Sequence, residues 1–499
     1  MNPDWINRLS THEKWLLILF FLIKLSLVFT LPLTGDEAYF IQWGKELALG
    51  YYDHPPVVGW TIWGLSFFSE SLYFYRLFAF VSSIIVAIII YRLALRVTHK
   101  NSAIMVSLAY LISPISLFSV LLANDVVLTF FGVLGFYYYV TASEKNSLPL
   151  AVISGVFLGL TFLSKYLSAM FFIGIFLYSL VNAKKVNWKV SLVCSIFVLV
   201  AIGENLYFNL QNCWNNILFN LVSRTRSSGI EPKSLVMFFV TMAILISPMA
   251  IAHLIRHRVV SEHPVIRQAL YICVTFILVF MLVSISKTVG LHWFALMIPF
   301  AFILLSQVSE NQKQILYKYS GYISLAIGML LLSLVIFSQQ IFDFKRKHKD
   351  VAFYLKAEEI CKQLPQGETI FTRGYSNNSV LAYYCKGNRF HVAFDLSKYG
   401  REDDKRVNFK QFDGKSVWFF DKDDEIIDRV SGYVGRIETK TIRVGKETTF
   451  ILVKGENFNY SKYREHILTP ICEQYYTEPG WLPVGKCNFK EKYNLKSEK

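Results

Sequence analysis

The sequence predicts a multi-pass α-helical membrane protein of about 11 spans with a C-terminal extracytoplasmic α/β domain. Three observations predict this architecture. The 499-residue chain is 54% hydrophobic and only 17% charged, whereas soluble domains carry about a quarter charged residues. Apolar runs recur as far as Ile341, and each is long enough to cross a bilayer core of roughly 30 Å. From about Phe342 onward, charges become more frequent and short β-rich runs appear.

The apolar runs place the predicted spans along residues 1–341, which form the predicted transmembrane domain. The first run lacks a following small-residue cleavage site, so we interpret it as a retained span and not as a signal peptide. The spans are 14–33, 73–95, 101–122, 125–141, 149–164, 166–181, 188–205, 234–254, 268–286, 291–308 and 318–341.

The basic residues between spans predict the orientation of the chain. If the spans alternate, four basic loops fall on one side, which the positive-inside rule makes cytoplasmic. An odd number of spans then places the tail outside. The net charge of +15 is concentrated in such loops, which favours attraction to anionic lipid over nucleic-acid binding. The loop cations are Arg92, Arg96, Lys100, Lys184, Lys185, Lys189, Arg256, Arg258, Arg267, Lys313 and Lys318.

The tail, residues 342–499, is predicted to form a small α/β domain. A helical stretch, "VAFYLKAEEICKQL", precedes the β-rich runs "TIFTRGY", "RFHVAF", "KSVWFF" and "TTFILVKG". An oxidising outer compartment would permit disulfides among its cysteines. Cys472 and Cys487 flank a loop that contains proline and glycine, and they are the preferred predicted pair. No cysteine pair has zinc-finger spacing.

Polar residues near the outer ends of the predicted spans form the candidate site. The topology was assigned from other residues, yet these all fall on the same side. Ionisable groups at membrane depth are costly and indicate function. They are Asp36, Glu37, Asp53, His54, Asn124, Asp125, Lys165, Tyr166, Glu204, Asn205, Arg224, Arg226, Lys287, His292 and Trp293.

Each of these residues also has a structural interpretation. Asp36 could cap the following helix, and His54 before two prolines could belong to a rigid turn. Lys165 could extend to the headgroups, and the two arginines near residue 225 could touch lipid phosphates without specificity. Tyr166 is typical of an interfacial aromatic belt. Only the group as a whole favours a functional site.

Acids and cations around one cavity suit the transfer of a sugar from a lipid-linked sugar phosphate. The leaving phosphate gains charge as the anomeric C–O bond breaks, so preorganised cations stabilise the transition state more than the ground state. A carboxylate can take the proton of an acceptor hydroxyl. A membrane-embedded substrate tail also explains a site at the lipid interface.

The motifs resemble those of a known family. The stretch "GDEAYFIQWGKELALGYYDHPPVVGW", followed by "ND" at the fourth span and "LSKY" later, resembles polyprenyl-phosphate-sugar-dependent glycosyltransferases of the C superfold. These include protein O-mannosyltransferases and the lipid A aminoarabinose and galactosamine transferases. By the order of elements, the resemblance covers roughly residues 10–310, and the tail resembles the outer domains of that family only loosely.

The resemblance implies roles for three residues. Asp36 falls on the essential acid of the first loop, Asp125 on a second acid, and Lys165 on a lysine that holds donor phosphate. Where the lipid A aminoarabinose transferases carry Glu-Lys-Pro, this chain has Asp53-His54-Pro55, which removes a phosphate-binding lysine. Two adjacent ligands do not make a zinc site, so no metal is predicted, and a divalent metal is left open.

We therefore expect an inverting glycosyltransferase of the bacterial inner membrane whose site faces the periplasm. Its predicted partners are a polyprenyl-phosphate sugar donor and an acceptor that is lipid A, another surface glycan or a protein hydroxyl. The alternatives are a lipid flippase or secondary transporter, a surface-glycan ligase, and a non-catalytic membrane anchor for the tail. The assigned residues are Asp36, Glu37 and Asp125 for catalysis, Lys165, Arg224, Arg226 and Lys287 for the donor phosphate, and Asp53, His54, Tyr166 and His292 for the substrate pocket.

Overall fold

The computed structural model describes residues 9–224, 229, 231–257, 261–338, 348–445 and 448–495. The chain divides into two compact units. Unit 1 comprises Met1–Leu31, Gly64–Gly203 and Ser227–Val335. Unit 2 comprises Pro32–Trp63, Glu204–Arg226 and Ile336–Lys499. The first loop of the sequence, residues 35–56, therefore folds with the tail in unit 2.

Helices account for most of the described chain up to Ile336. Short 3-10 turns lie at Ala183–Lys185, Leu291–Phe294 and Leu305–Gln307, and a π-helical turn lies at Leu218–Ser223. The α-helices are α1 (Thr11–Thr30), α2 (Gly35–Lys45), α3 (Val57–Ser66), α4 (Leu72–Ala94), α5 (Lys100–Leu111), α6 (Pro114–Phe118), α7 (Asn124–Lys145), α8 (Leu148–Phe162), α9 (Ser168–Val181), α10 (Trp188–Gln211), α11 (Asn215–Ile217), α12 (Pro232–Leu245), α13 (Pro248–His257), α14 (Pro264–Ser284), α15 (Met297–Leu304) and α16 (Glu310–Ile336).

Several of these helices can cross a membrane. Within the described residues, α4, α7, α10, α14 and α16 are long and apolar enough, and α1 with α2 forms a further pair bent by 67°. The predicted spans 149–164, 166–181, 234–254 and 291–308 coincide with shorter apolar helices, among them α8, α9 and α12, and the predicted span 101–122 coincides with α5 and α6. The prediction of a multi-pass helical membrane protein is confirmed, and the number of 11 spans stays a prediction.

Two predicted spans are each broken into two helices by the same tripeptide. Ile-Ser-Pro separates α5 from α6 at Pro114, and it separates α12 from α13 at Pro248. Proline has no N–H to continue the helical ladder, and it disfavours helical geometry in the residue before it. The hydropathy is continuous across both breaks, so apolar runs alone predicted uninterrupted spans.

Small residues let the helices of unit 1 approach closely. A Cβ added to Gly135 of α7 would lie 2.8 Å from a methyl carbon of Leu158 in α8. The Ser154 hydroxyl of α8 donates to the Gly135 carbonyl at 2.8 Å. Such close helix packing is typical of membrane proteins. It holds α7 against α8, and two candidate site residues lie in the first turn of α7 and in the turn after α8.

The tail contains the predicted α/β structure. Its strands are β1 (Thr369–Thr372), β2 (Arg389–Val392), β3 (Val417–Asp421), β4 (Arg436–Val444) and β5 (Thr448–Glu456), in the order β2-β1-β3-β5-β4. The first three strands are parallel, and β5 runs antiparallel to β3 and β4. The helices of the tail are α17 (His348–Leu355), α18 (Ala357–Cys361), α19 (Tyr375–Tyr384), α20 (Asp403–Arg406), α21 (Glu425–Ser431), α22 (Tyr460–Tyr463), α23 (Thr469–Tyr475) and α24 (Asn488–Tyr493).

The predicted pairing of Cys472 with Cys487 is wrong. Cys487 is bonded to Cys213, which lies just after α10, and Cys361 is bonded to Cys385. Cys472 is a buried free thiol within α23. The Cys213 amide donates to the carbonyl of Lys486 at 2.8 Å. This contact joins segments far apart in sequence, which loop composition cannot reveal.

Candidate active site

The first loop begins with a helix cap that presents Asp36. Thr34 is the N-cap of α2, and its hydroxyl accepts the amide of Glu37 at 3.2 Å. The Glu37 carboxylate accepts the Thr34 amide at 3.3 Å in return, which completes a capping box. Glu37 is 2% exposed, whereas Asp36 is exposed. Glu37 therefore caps the helix, its predicted catalytic role stays a prediction, and Asp36 has the more exposed carboxylate of the two.

Asp36 is oriented by a residue of the tail that the sequence did not identify. The Tyr375 hydroxyl, in the first turn of α19, donates to Asp36 Oδ1 at 2.8 Å. Burial and the Asp36 carboxylate raise the pKa of Tyr375, so it remains a donor. Gly35 permits this approach, because a Cβ there would lie 2.5 Å from Ser376 Cβ.

The turn that carries Asp53 and His54 is held by aromatic stacking and by backbone hydrogen bonds. Tyr51 stacks on Trp43 of α2 with centroids 4.2 Å apart, and its hydroxyl donates to the Trp43 carbonyl at 2.8 Å. The Tyr51 amide donates to the His54 carbonyl at 3.0 Å. The His54 ring is half-buried and lies 6.3 Å from the Trp43 ring. The turn is therefore rigid, as one interpretation of "DHPP" predicted.

Asparagines of the segment after α10 fix the other side of this turn. Asn216 donates to the Tyr51 carbonyl at 2.6 Å, and Asn220 donates to the Asp53 carbonyl at 2.9 Å. Arg224 reaches the Asn220 side chain at 3.5 Å and lies over the Phe219 ring. Arg224 therefore lies on the same segment that holds Asp53, while Arg226 falls outside the described residues.

Asp53 is a buried carboxyl in an acidic environment. Its Oδ1 accepts the Tyr39 hydroxyl at 3.4 Å. Burial, with the carboxylates of Glu402 and Asp36 adding to it, raises the pKa of Asp53 to about 7, while Arg224 opposes that rise. A carboxyl of this pKa exchanges its proton near neutral pH, which is suited to general acid or base catalysis.

Glu402 is a second tail residue at this turn. It is 5% exposed, and its carboxylate accepts the Tyr52 amide at 2.6 Å and the Lys405 ammonium at 2.9 Å. Arg406, at the end of α20, donates to the Glu46 carboxylate at 2.7 Å. Glu402 comes from the charged run "GREDDKR". A run of this kind is usually solvated, so nothing in its composition assigns Glu402 to a site.

Unit 1 contains a separate ion pair formed by two predicted site residues. Lys165 Nζ lies 2.8 Å and 2.9 Å from the two carboxylate oxygens of Asp125. The side chains are 8% and 14% exposed. Lys165 lies in the turn between α8 and α9, and Asp125 lies in the first turn of α7. Lys165 is therefore buried and paired, which does not support the interpretation that it extends to headgroups.

The other predicted site residues of unit 1 lie near helix ends. The Tyr166 ring lies 6.4 Å from that of Phe162. Lys287 follows α14, and its amide donates to the Val283 carbonyl. His292 lies in the 3-10 turn Leu291–Phe294. The described residues contain no group of three or more His, Cys, Asp or Glu side chains that could hold a metal ion.

Comparisons with known proteins bear on the fold and on residues 53–208. Residues 53–208 match the family model described as dolichyl-phosphate-mannose-protein mannosyltransferase. Lipid A galacturonosyltransferase RgtD of Rhizobium johnstonii is 29% identical over 183 residues, which are 36% of this chain. The aligned segment spans only 38% of that relative's length.

Solved structures match the chain over most of its length. ArnT from Cupriavidus metallidurans bound to undecaprenyl phosphate has a TM-score of 0.65 and 13% identity, covering 91% of this chain and 98% of that one. The apo structure of the same protein has a TM-score of 0.63 and covers 89% and 98%. The chain thus has the fold of the ArnT structures, and its resemblance to polyprenyl-phosphate-sugar-dependent glycosyltransferases of the C superfold is confirmed.

Proposed function

We propose that the protein is an inverting glycosyltransferase that moves a sugar from a polyprenyl-phosphate carrier to lipid A. One observation carries the proposal: this chain has the fold of the ArnT structures, and its first loop contains an exposed Asp36 and a buried Asp53. One structure of that fold is bound to undecaprenyl phosphate, and the curated relative is named for a lipid A acceptor. These two names support the choice of donor and acceptor.

The acceptor side of the reaction is assigned to the first loop. Asp36, oriented by Tyr375, takes the proton of the acceptor hydroxyl as its oxygen forms the new bond to the anomeric carbon. The old anomeric C–O bond breaks, and its electron pair leaves with the polyprenyl phosphate. If the acceptor is already a phosphate anion, no proton has to be removed, and Asp36 orients other groups of the site instead. Asp53 and His54 shape the pocket for sugar and acceptor.

The donor side is assigned to cations that stabilise the leaving phosphate. Lys165, Arg224, Arg226 and Lys287 carry this role, with Tyr166 and His292 in the substrate pocket. The Asp125 carboxylate fixes the Lys165 ammonium in one place. A fixed cation does not have to reorganise when the phosphate gains charge, which is the condition for strong electrostatic stabilisation.

The same proposal includes the finer topology. Eleven spans within residues 1–341 would place the first loop and an extracytoplasmic domain, residues 342–499, on the periplasmic face of the bacterial inner membrane. Cysteine labelling from outside the cell tests this orientation. Labelling of cysteines at the exposed positions 45 and 397 from the cytoplasmic side, or from opposite sides of the membrane, would overturn it.

The experiment that tests the activity uses the purified full chain, undecaprenyl-phosphate sugars and lipid A, with the product identified by mass spectrometry. We expect addition of one sugar, which Asp36→Asn reduces about 10²-fold or more. Asp428→Asn removes an exposed carboxylate of α21 and serves as the matched control. Normal transfer by Asp36→Asn, lipid movement without transfer, or joining of whole glycan chains would each contradict the proposal.

A further inference from the structure

A cleft opens in unit 2 beside the C-terminal end of α10. Its volume is about 600 Å³. Its walls come from the loop after α2, the last turns of α10, α20 and the segment that precedes α24. These segments are distant in sequence, so the cleft is a product of the tertiary fold.

One wall of this cleft is apolar and exposed. Leu47 and Leu49 are each 45% exposed, and Tyr207 of α10 is 58% exposed. The helix α10 is long and apolar enough to cross a membrane, so its last turns lie where the span leaves the hydrocarbon. Exposed leucines and a tyrosine at this level suit contact with lipid chains and headgroups.

The lining also contains charged residues. Among the lining residues, the carboxylates Glu46 and Glu402 are each paired, with Arg406 at 2.7 Å and Lys405 at 2.9 Å. Lys486 adds a third cation to the lining. Two carboxylates against three cations leave a net positive charge, which favours an anion over a metal ion or a neutral sugar.

Lys486 is held in place by its backbone. Its amide donates to the Leu210 carbonyl at 2.8 Å, and its carbonyl accepts the Cys213 amide at 2.8 Å. The next residue, Cys487, forms the disulfide with Cys213. The basic group is thus anchored to the end of a spanning helix, where the phosphates of a bilayer lie.

We propose that this cleft binds one anionic glycerophospholipid of the surrounding leaflet. Its phosphate would lie between Lys405 and Lys486, and an acyl chain would lie along Leu47 and Leu49. The lining supplies both an ionic and an apolar contact, and only an amphiphilic anion uses both. The proposal does not depend on the transferase activity, because its ligand is neither donor nor acceptor.

Native mass spectrometry of the purified full chain, freed of lipid in detergent, tests the proposal. We expect one phosphatidylglycerol to bind about tenfold more tightly than phosphatidylcholine, and Lys486→Glu to abolish that difference. Lys410→Glu makes the same charge change at an exposed lysine outside the cleft and should leave binding unchanged. A melting temperature for each variant shows whether it is folded.

A second variant addresses the apolar wall. Leu49→Gln should weaken binding of long-chain phosphatidylglycerol more than binding of its short-chain analogue. Equal binding of the two headgroups by the wild type would overturn the proposal. So would equal effects of Lys486→Glu and Lys410→Glu, or retention of lipid A or undecaprenyl phosphate in place of phosphatidylglycerol.

Discussion

Replacing Lys165 by methionine should strongly destabilise the protein, because it leaves the Asp125 carboxylate buried without its partner. The two groups are 2.8 Å apart with side chains 8% and 14% exposed. At an effective dielectric constant near 20, a pair at that distance attracts by roughly 6 kcal/mol before desolvation is counted. Breaking a buried pair from one side costs about 3–5 kcal/mol in net stability. We therefore expect Lys165→Met to lower the free energy of unfolding by about 3–5 kcal/mol.

A double variant separates the pairing from the individual side chains. Asp125→Asn combined with Lys165→Met removes both charges, so no uncompensated ion remains and its stability should return to within about 1 kcal/mol of the wild type. The free energies of unfolding of the four proteins, measured in detergent with a denaturant, form a double-mutant cycle. Because each single variant should lose about 3–5 kcal/mol and the double variant no more than about 1 kcal/mol, the expected coupling is at least about 5 kcal/mol. Additive losses would refute the conclusion that the pair is a buried, mutually compensating unit.

The same double variant reports on function. If Lys165 holds the donor phosphate, the double variant is stable but transfers sugar poorly, because its cation is missing. If the pair serves only to join the start of α7 to the turn after α8, the double variant recovers both stability and transfer. Activity and stability therefore separate the two roles, which neither single variant can do.

Three further predictions concern unit 2. Tyr375→Phe removes the hydrogen bond to Asp36 and should lower kcat about tenfold with little change in melting temperature. A normal kcat would show that this hydrogen bond does not contribute to the function of Asp36. Burial raises the pKa of Asp53 from 3.8 to about 7. The folded state therefore loses stability as the pH rises between these two values, because ionisation of Asp53 is less favourable in the folded than in the unfolded chain. The free energy of unfolding, measured at a series of pH values, should be higher for Asp53→Asn than for the wild type by up to about 4 kcal/mol at pH 8 and equal to it near pH 3. A stability difference that does not change with pH would contradict this prediction. Peptide mapping without reduction should recover Cys213 joined to Cys487, and replacing either by serine should cost roughly 2–5 kcal/mol in unfolding free energy.

Much of unit 1 was predictable because hydropathy reports directly on burial in lipid. Every predicted span coincides with helix, including the two short ones that became α8 and α9. The errors fall at the two Ile-Ser-Pro tripeptides, where backbone geometry overrides apolar content. Strand β4, which was not predicted, has mostly exposed residues. Its sequence therefore lacks the apolar character on which strand prediction depends.

The acids of the first loop were predictable, whereas the residues that control them were not. Asp36 and Asp53 were identified because carboxyls beside a span are costly. Tyr375 is an ordinary helix residue by sequence, and Glu402 belongs to a run that looks solvated. Each lies more than 300 positions from its partner. Only the tertiary fold reveals such contacts, as it does the pairing of Cys213 with Cys487.

The tail contacts the first loop directly and does not merely follow the spans. Tyr375 donates a hydrogen bond to Asp36. Glu402 accepts the Tyr52 amide, and its charge adds to the burial that raises the pKa of Asp53. The close approach at Gly35 leaves no room for a larger residue. Within unit 2, the tail orients one acid of the first loop and, together with burial, raises the pKa of the other. In the transfer proposed above, the tail would thereby orient the acid that accepts the proton.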